Sequence, residues 1–430
     1  MSNIFRALRH RNFRLFFFGQ ALSLTGMWLQ MVGQSWLMYR LTDQALAVAL
    51  VALAQQGPGL FVGPVAGALA DRHSRQRILI LAQAAVIVPS LGLGWLAFAD
   101  TIVPWQIFAL ALASGLARAF EIPTRQAFVP QLVEREDIPN AVALNSVIFN
   151  AARLVGPAVG GILIATVGEA WCFFANAILL FPVLAALAAI HVAPHAGVGV
   201  GGRGSLMGEI AAAIRYVRGE PIVWSLLGGM AVASLAGMPY TVLLPSFAAE
   251  VLDRGPEAFG VLTAAAGIGA ILSALALAAR RHARGLDAWL VVSGLTFAVG
   301  LAGLSRTTSL DLAVVALAVV GAGFMTLMAA TNTLLQLRVP DALRGRVMSF
   351  HTALFLGLFP FGGLAAGALA DRIGVAPVIL SGAVVVGIAM LSLGSVLLRH
   401  RSAWEEPSET FEAQPETSRA PDTSSSDSPG

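Results

Sequence analysis

Runs of about twenty mostly apolar residues recur along almost the whole chain, and no other feature restricts its fold as much. A helix that crosses a bilayer needs about 20 such residues. Twelve windows qualify, at 15–38, 46–69, 78–98, 103–123, 140–166, 171–190, 221–249, 257–279, 286–304, 310–336, 346–370 and 375–398. Gly-Pro or Phe-Pro interrupts the 140–166 and 346–370 runs, which spanning helices tolerate when neighbours re-satisfy the freed backbone groups. The composition agrees. Of 430 residues, 57% are hydrophobic and 12% charged, about half the charge of a soluble domain, too little polar surface for water. The start, MSNIFRALRHRNFR, has the look of a signal peptide. The run behind it is long enough to span, so it is read as a retained first helix. An all-α membrane protein is expected.

Arginine placement sets the expected orientation. All 27 basic residues are arginines. The two ends and every second loop hold 21 of them, against four on the other side (Arg40, Arg254, Arg306 and Arg372), with Arg118 and Arg153 inside spans. Basic residues favour the cytoplasmic side, so both termini are expected there. A Gly-rich linker at 194–206 divides the chain, followed by the amphipathic stretch GEIAAAIRYVRGE, expected on the inner membrane surface. The organisation expected is a six-helix half at 1–193, a linker at 194–220, a second half at 221–401, and an acidic, Ser- and Pro-rich disordered tail at 402–430. The halves echo each other: Ser146 precedes the GPAVGG run by ten residues, and Ser349 precedes FPFGG by ten. Paired Pro/Gly-broken helices mark an internally repeated transporter.

Several function classes are excluded or disfavoured. A net charge of +3 on so apolar a chain gives no ground for nucleic-acid binding. One cysteine, Cys172, rules out an internal disulfide and a cysteine-based metal cluster. The sequence has no HExxH and no GxxxxGK[ST], and its GVGVGGRG lies in the linker without a strand–helix context. No enzyme, cofactor or metal is expected.

One charged cluster stands out, GALADRHSRQRIL at 67–79, whose first six letters return as GALADR at 367–372. The first copy resembles the signature G-x-L-a-D-R-x-G-R-(K/R)-x-x-L of the major facilitator superfamily, in the loop after helix 2. It departs at Ser74, where that family has Gly, and at Gln76, where it has a basic residue. The resemblance covers about residues 1–400. It implies twelve helices in two six-helix pseudo-repeats, and a cytoplasmic gate built from Gly67, Asp71, Arg72, Arg75 and Arg77. Asp71 would meet the start of helix 11, near Arg346 to Ser349. The alternative is a topogenic turn. The second copy reads as a coincidence of small-residue helix ends or as an outer gate. Gly156, Pro157, Gly160 and Gly161 resemble the GP-x-x-GG core of the exporter-associated motif, with Ala143 and Ala152 where glycines usually precede it. The runs at 119–133 and 140–161, with RVPDALRGRVMSF at 338–350, resemble the exporter branch of enterobactin and macrolide efflux.

Ionisable groups inside spans are expensive and usually functional. Those expected there are Arg118, Glu121, Arg153 and His351. Gln30 and Gln34 share a face of helix 1, near Trp28 and Trp36, and Asn145 and Asn150 lie near Arg153. These residues are candidates for a proton or substrate site, with polar helix packing the competing reading for the amides, Gln55 and Gln56 included. Glu121 is read as an ion pair of Arg118 and Arg125, as a proton or cation-substrate site, or as a lipid-facing residue without a role, with Pro123 a candidate helix break. The leading expectation is a monomeric, proton-coupled exporter of a small amphipathic organic molecule (drug or siderophore-like), in contact with membrane lipids. A facilitator, importer or lysophospholipid flippase of the same fold, or a receptor or scaffold, are the alternatives.

Overall fold

A computed structural model of the chain describes residues 3–191, 206–278 and 285–400. The acidic tail, the Gly-rich linker, Arg280, Arg281 and Arg284, and the side chain of Asp71 lie outside the described residues.

Each apolar run becomes one helix long and apolar enough to cross a membrane, twelve among the described residues. They are α1 (Arg11–Thr42), α2 (Ala45–Arg72), α3 (Arg75–Phe98), α4 (Pro104–Phe128), α5 (Ile138–Val167) and α6 (Ala170–Ala189) in the first half. The second half has α7 (Pro221–Val251), α8 (Pro256–Ala278), α9 (Leu286–Arg306), α10 (Leu310–Arg338), α11 (Asp341–Ile373) and α12 (Val375–Arg399). Prolines inside the helices do not end them. α5 runs on through Pro157, α11 through Pro360 and α4 through Pro123, so the expected break at Pro123 is not there and Arg125 belongs to the helix. α7 alone widens into π turns, at Ala233–Gly237 and Phe247–Val251. The amphipathic stretch forms the helix Leu206–Gly219, with Ala213 and Val217 buried and the Tyr216 hydroxyl 3.5 Å from the Arg338 carbonyl.

The two ends of the bundle differ. The face that carries Asn3 and His400 is called here the terminal face, and its opposite the far face. Toward the far face, Val32, Trp36, Tyr39, Ala45, Val48, Ala49 and Ile164 of the first half join one continuous core with α7–α12. Toward the terminal face, Phe13, Phe16, Leu79, Phe128, Leu144 and Leu187 form a separate core drawn from the first half alone. Among the described residues, the core shared by the two halves therefore lies toward the far face, and the first half has a core of its own toward the terminal face.

Small residues let helix backbones approach closely where side-chain packing replaces a hydrophobic drive. The tightest case joins α8 to α10: a Cβ on Gly269 would sit 1.8 Å from the Ala318 carbonyl oxygen, and one on Gly321 would sit 1.9 Å from that of Ala266. Neither carbonyl can yield without breaking its helix. Gly269→Val is expected to lower the thermal unfolding midpoint sharply, since overpacking costs about 1–3 kcal/mol even where neighbours can shift. Gly59→Ala, where the added carbon meets nothing within 4 Å, should leave the midpoint unchanged or raise it. Reaction of fully buried Cys172 with a thiol dye during heating reads both.

Candidate transport pathway and its gates

The loop between α2 and α3 is fastened to the first half by the two residues where it departs from the family signature. Ser74 N-caps α3, its Oγ accepting from the Arg77 N–H at 3.4 Å. Gln76 donates from Nε2 to the carbonyls of Leu187 (2.6 Å) and Ile190 (2.8 Å), satisfying the end of α6. Arg75 donates to the carbonyls of Ala70 (3.3 Å) and Ala127 (3.0 Å), tying the end of α2 to that of α4. Arg72 and Arg77 are exposed. At Gly67 of α2 and Gly345 of α11, an added Cβ would meet nothing within 4 Å. The terminal-face ends of α2 and α11 are thus not packed on each other at these glycines.

The far face carries the opposite arrangement, and the second GALADR builds it. Asp371, at the end of α11, accepts the backbone N–H of Ala45 at 2.7 Å and of Leu46 at 3.2 Å. These are first-turn donors of α2, and Gln44 before them gives no side-chain cap. An Asp in this place satisfies orphan donors and meets the positive end of the helix. Gly367, one turn back, brings α11 so close that its Cβ would lie 2.8 Å from Leu46 Cα. Beside this seam Tyr39 donates from Oη to Glu250 at 3.0 Å, joining α1 to α7. A second seam joins α5 to α8. A Cβ on Gly161 would lie 2.9 Å from Gly260 Cα, and one on Gly260 would lie 2.7 Å from the Pro157 carbonyl. Gly156 presses on Trp28 of α1, and Gly160 lies against Leu29 and Val32. The four residues of the exporter-like motif therefore clamp α5 between α1 and α8.

Several of the polar residues expected at a binding site instead join first-half helices. The Gln30 carbonyl oxygen accepts from Ser90 Oγ of α3 (2.7 Å) and from the Asn176 amide of α6. Ser23 donates to Gln83 at 3.2 Å. Gln55 donates to Gln34, leaving the Gln34 amide nitrogen unpartnered. Asn150 bonds back to the Ser146 carbonyl. Asn145 Oδ1 and His351 Nε2 are buried without partners. Glu121 is the shared counter-ion of two arginines, with Arg125 Nη1 at 3.5 Å and Arg118 Nη1 at 3.8 Å, and it accepts from Gln20 at 3.4 Å. All three charged groups of this triad are largely buried. Arg153 stands apart from it, its guanidinium carbon 5.9 Å from the Trp28 ring centre.

Sequence reasoning missed Ser90, Asn176 and Glu250, and it placed Arg125 outside the span. An Asn inside an apolar run was a usable signal, because it must find a partner there. Glu250 falls just beyond the window ending at 249, and only the extra length of α7 brings it inside.

Twelve spanning helices in two six-helix halves that share a core toward the far face are the architecture of a major facilitator transporter, an integral membrane protein that moves solutes and does not catalyse a reaction. A family model described as transmembrane secretion effector matches residues 2–424, and the chain belongs to that family. It is 29% identical to the enterobactin exporter EntS of Citrobacter koseri, over 91% of this chain and 94% of that one. It is 27% identical to the multidrug efflux pump Tap of Mycolicibacterium fortuitum, over 89% and 94%. Among solved structures, a bacterial homologue of the iron transporter ferroportin in its inward-facing state shares the fold, with a TM-score of 0.69 at 16% identity, covering 90% of this chain and 99% of that one.

The triad yields a stability prediction. Removing one partner of a buried ion pair leaves the others uncompensated and typically costs about 3–5 kcal/mol. Glu121→Ala should therefore reduce folded protein in the membrane and lower the unfolding midpoint. Adding Arg118→Gln should recover part of the loss. A midpoint unchanged in Glu121→Ala would show that the triad contributes nothing to the fold.

Proposed function

We propose that this protein is a secondary active exporter of small amphipathic organic molecules, working by alternating access in a bacterial inner membrane, with both termini in the cytoplasm. The observation that carries this reading is the asymmetry of the two faces: a shared core with the Asp371 cap at the far face, and independent cores at the terminal face. With the termini cytoplasmic, as the arginine bias favours, this is the state that loads from inside. The export direction and the drug- or siderophore-like character of the substrate are supported by the named relatives. The protein is proposed to act as a monomer in contact with lipid.

The repeated hexapeptide gives alternating access a symmetric chemistry. α2 and α11 are antiparallel partners, and each ends in GALADR. Asp371 now caps the start of α2. In the outward-facing state Asp71 would cap the start of α11, where Pro340 supplies no side-chain cap. A single cap is worth about 0.5–2 kcal/mol, enough to bias two states without locking either.

Val48 lies buried in the shared far-face core, so a cysteine there should be shielded from a membrane-impermeant maleimide added outside. Asp371→Ala in that background should speed its labelling by about two- to thirtyfold, the equivalent of one cap. Asp71→Ala should slow it. A rate unmoved by Asp371→Ala would remove the latch.

The coupling proposed is proton antiport. Glu121 is already shared by two arginines, so in this reading it serves as their counter-ion. His351 is buried in α11 with an unpartnered ring nitrogen, and histidine is the side chain suited to change charge near neutral pH. Efflux from proteoliposomes under an imposed pH gradient tests this. His351→Gln is expected to keep substrate counterflow and lose the acceleration by the gradient. A gradient response equal to wild type would move coupling to another group.

A further inference from the structure

The charge left over at the middle of the bundle has no counter-ion among the described residues. Arg153 is fifteen positions from the start of α5 and fourteen from its end, about 20 Å of helix rise from either face. That is too far for its side chain to snorkel to water beyond the helix ends. Among the described residues it makes no salt bridge and no hydrogen bond, and only the Trp28 ring faces it. An isolated guanidinium in a membrane interior is costly, and such residues mark ligand or ion paths.

Its surroundings place it on the path between the halves and not against lipid. The Arg153 carbonyl would lie 3.7 Å from a Cβ on Gly267 of α8, and Leu154 beside it packs on the same glycine. Trp28 is wedged against Gly156, and its ring meets Phe149 edge-on at 6.2 Å. The charge of Arg153 reaches across to the buried Tyr240 of α7. α7 departs from regular helix on both sides of that tyrosine, as helices often do at functional positions. Tyr240 in turn stands edge-on to Phe297 at 6.5 Å.

The hydrogen-bonding inventory of this spot is one-sided. The guanidinium offers five N–H donors and accepts nothing, and the indole offers one donor. The indole nitrogen Nε1 of Trp28 is buried and unpartnered. Two donors without acceptors, flanked by aromatic rings, suit a negatively charged acceptor group on a flat apolar body. The rest of the path agrees. On the terminal-face side the Arg118–Glu121–Arg125 triad carries one excess positive charge. On the far-face side Asp43 and Asp371 are near enough to act on Glu250. An anion is attracted at the loading side and at the midplane, and the acidic groups at the far face do not hold it there.

We propose that Arg153, with the Trp28 indole N–H, forms the substrate's anion site, so that this carrier exports amphipathic organic acids, a carboxylate or phenolate on an aromatic body, in preference to cations. The proposal rests on the exporter reading above and narrows it.

The test uses the full-length protein in proteoliposomes, with radiolabelled benzoate, 1-naphthoate and 9-anthroate set against amines on the same ring skeletons. Saturable binding and counterflow of the acids over the amines are expected. Arg153→Gln should weaken acid binding by about tenfold or more, the usual scale for losing a hydrogen bond to a charged group. Arg153→Lys, which keeps the charge without the fork, should lose less. Trp28→Phe should weaken the acids and leave any amine binding unchanged. The unfolding midpoint of Arg153→Gln should hold or rise, because an uncompensated charge has been removed. A lowered midpoint with unaltered acid binding would make Arg153 structural and overturn the site. Counterflow of amines or neutral rings in wild type, without preference for acids, would overturn the anion site and leave the exporter standing. Counterflow of no probe at all would count against both.

Discussion

Inside a bilayer there is no water to complete a polar group, and the behaviour of this chain depends on which groups find a partner without it. Those that do are the ties between helices of the first half. Gln30, Ser90 and Asn176 close a three-helix network, Ser23 meets Gln83, and Glu121 holds two arginines. These ties hold α1, α3, α4 and α6 together, although some of their own atoms, Gln34 Nε2, Gln83 Nε2, Asn176 Oδ1 and Arg125 Nε among them, remain unpartnered. Trp28 Nε1, His351 Nε2 and Asn145 Oδ1 are also buried without partners and lie outside the ties, and Arg153 has the Trp28 ring beside it.

A carrier needs two closed faces of similar free energy, because a strong lock at either face would hold one state. The far-face seams meet that requirement. Their close contacts are glycine against backbone, at Gly367 on Leu46 and Gly161 on Gly260, which gain little individually and need no side chain to repack when they part. The directional contribution comes from the Asp371 cap and the Tyr39–Glu250 bond. Trp36 stacked on Phe259, with ring centres 6.3 Å apart, adds an apolar contact. Rigid bodies joined by such seams can rock without any helix unfolding.

Much of the fold was legible because a spanning helix has a fixed length and an apolar surface. All twelve runs became helices, and the linker's amphipathic stretch became a helix as well. The ends were less legible. Apolar composition stops at the membrane boundary, while α1, α4 and α11 continue into polar sequence as far as their backbone hydrogen bonds carry them. That is why Arg125, four residues past Glu121 and beyond Pro123, was set outside the span and is buried inside it. The site was legible in its residue types and not in their pairing. Glu121 and Arg118 are neighbours on one helix and could be paired from spacing alone. Nothing in the spacing of Gln30 names Asn176, 146 positions away, because that pairing depends on how α1 crosses α6.

The two copies of GALADR differ in the residues that come after them, and the difference suits the faces they serve. After Asp71 the chain turns straight into α3, and Ser74, Arg75 and Gln76 are all engaged with first-half carbonyls or helix starts. The basic residues there favour the cytoplasmic side. After Asp371 the chain turns at Gly374, whose φ of +86° suits glycine, and enters α12 with no basic residue beyond Arg372 until Arg399. Extra arginines there would work against the orientation proposed for the chain. The far-face contact is therefore reduced to the part that the chemistry of a helix start requires, one carboxylate and one close-packed glycine. The first copy carries the same pair together with the anchors that fix the loop in place, so in the alternating-access reading proposed above both gates would work through the same four-residue spacing from Gly to Asp.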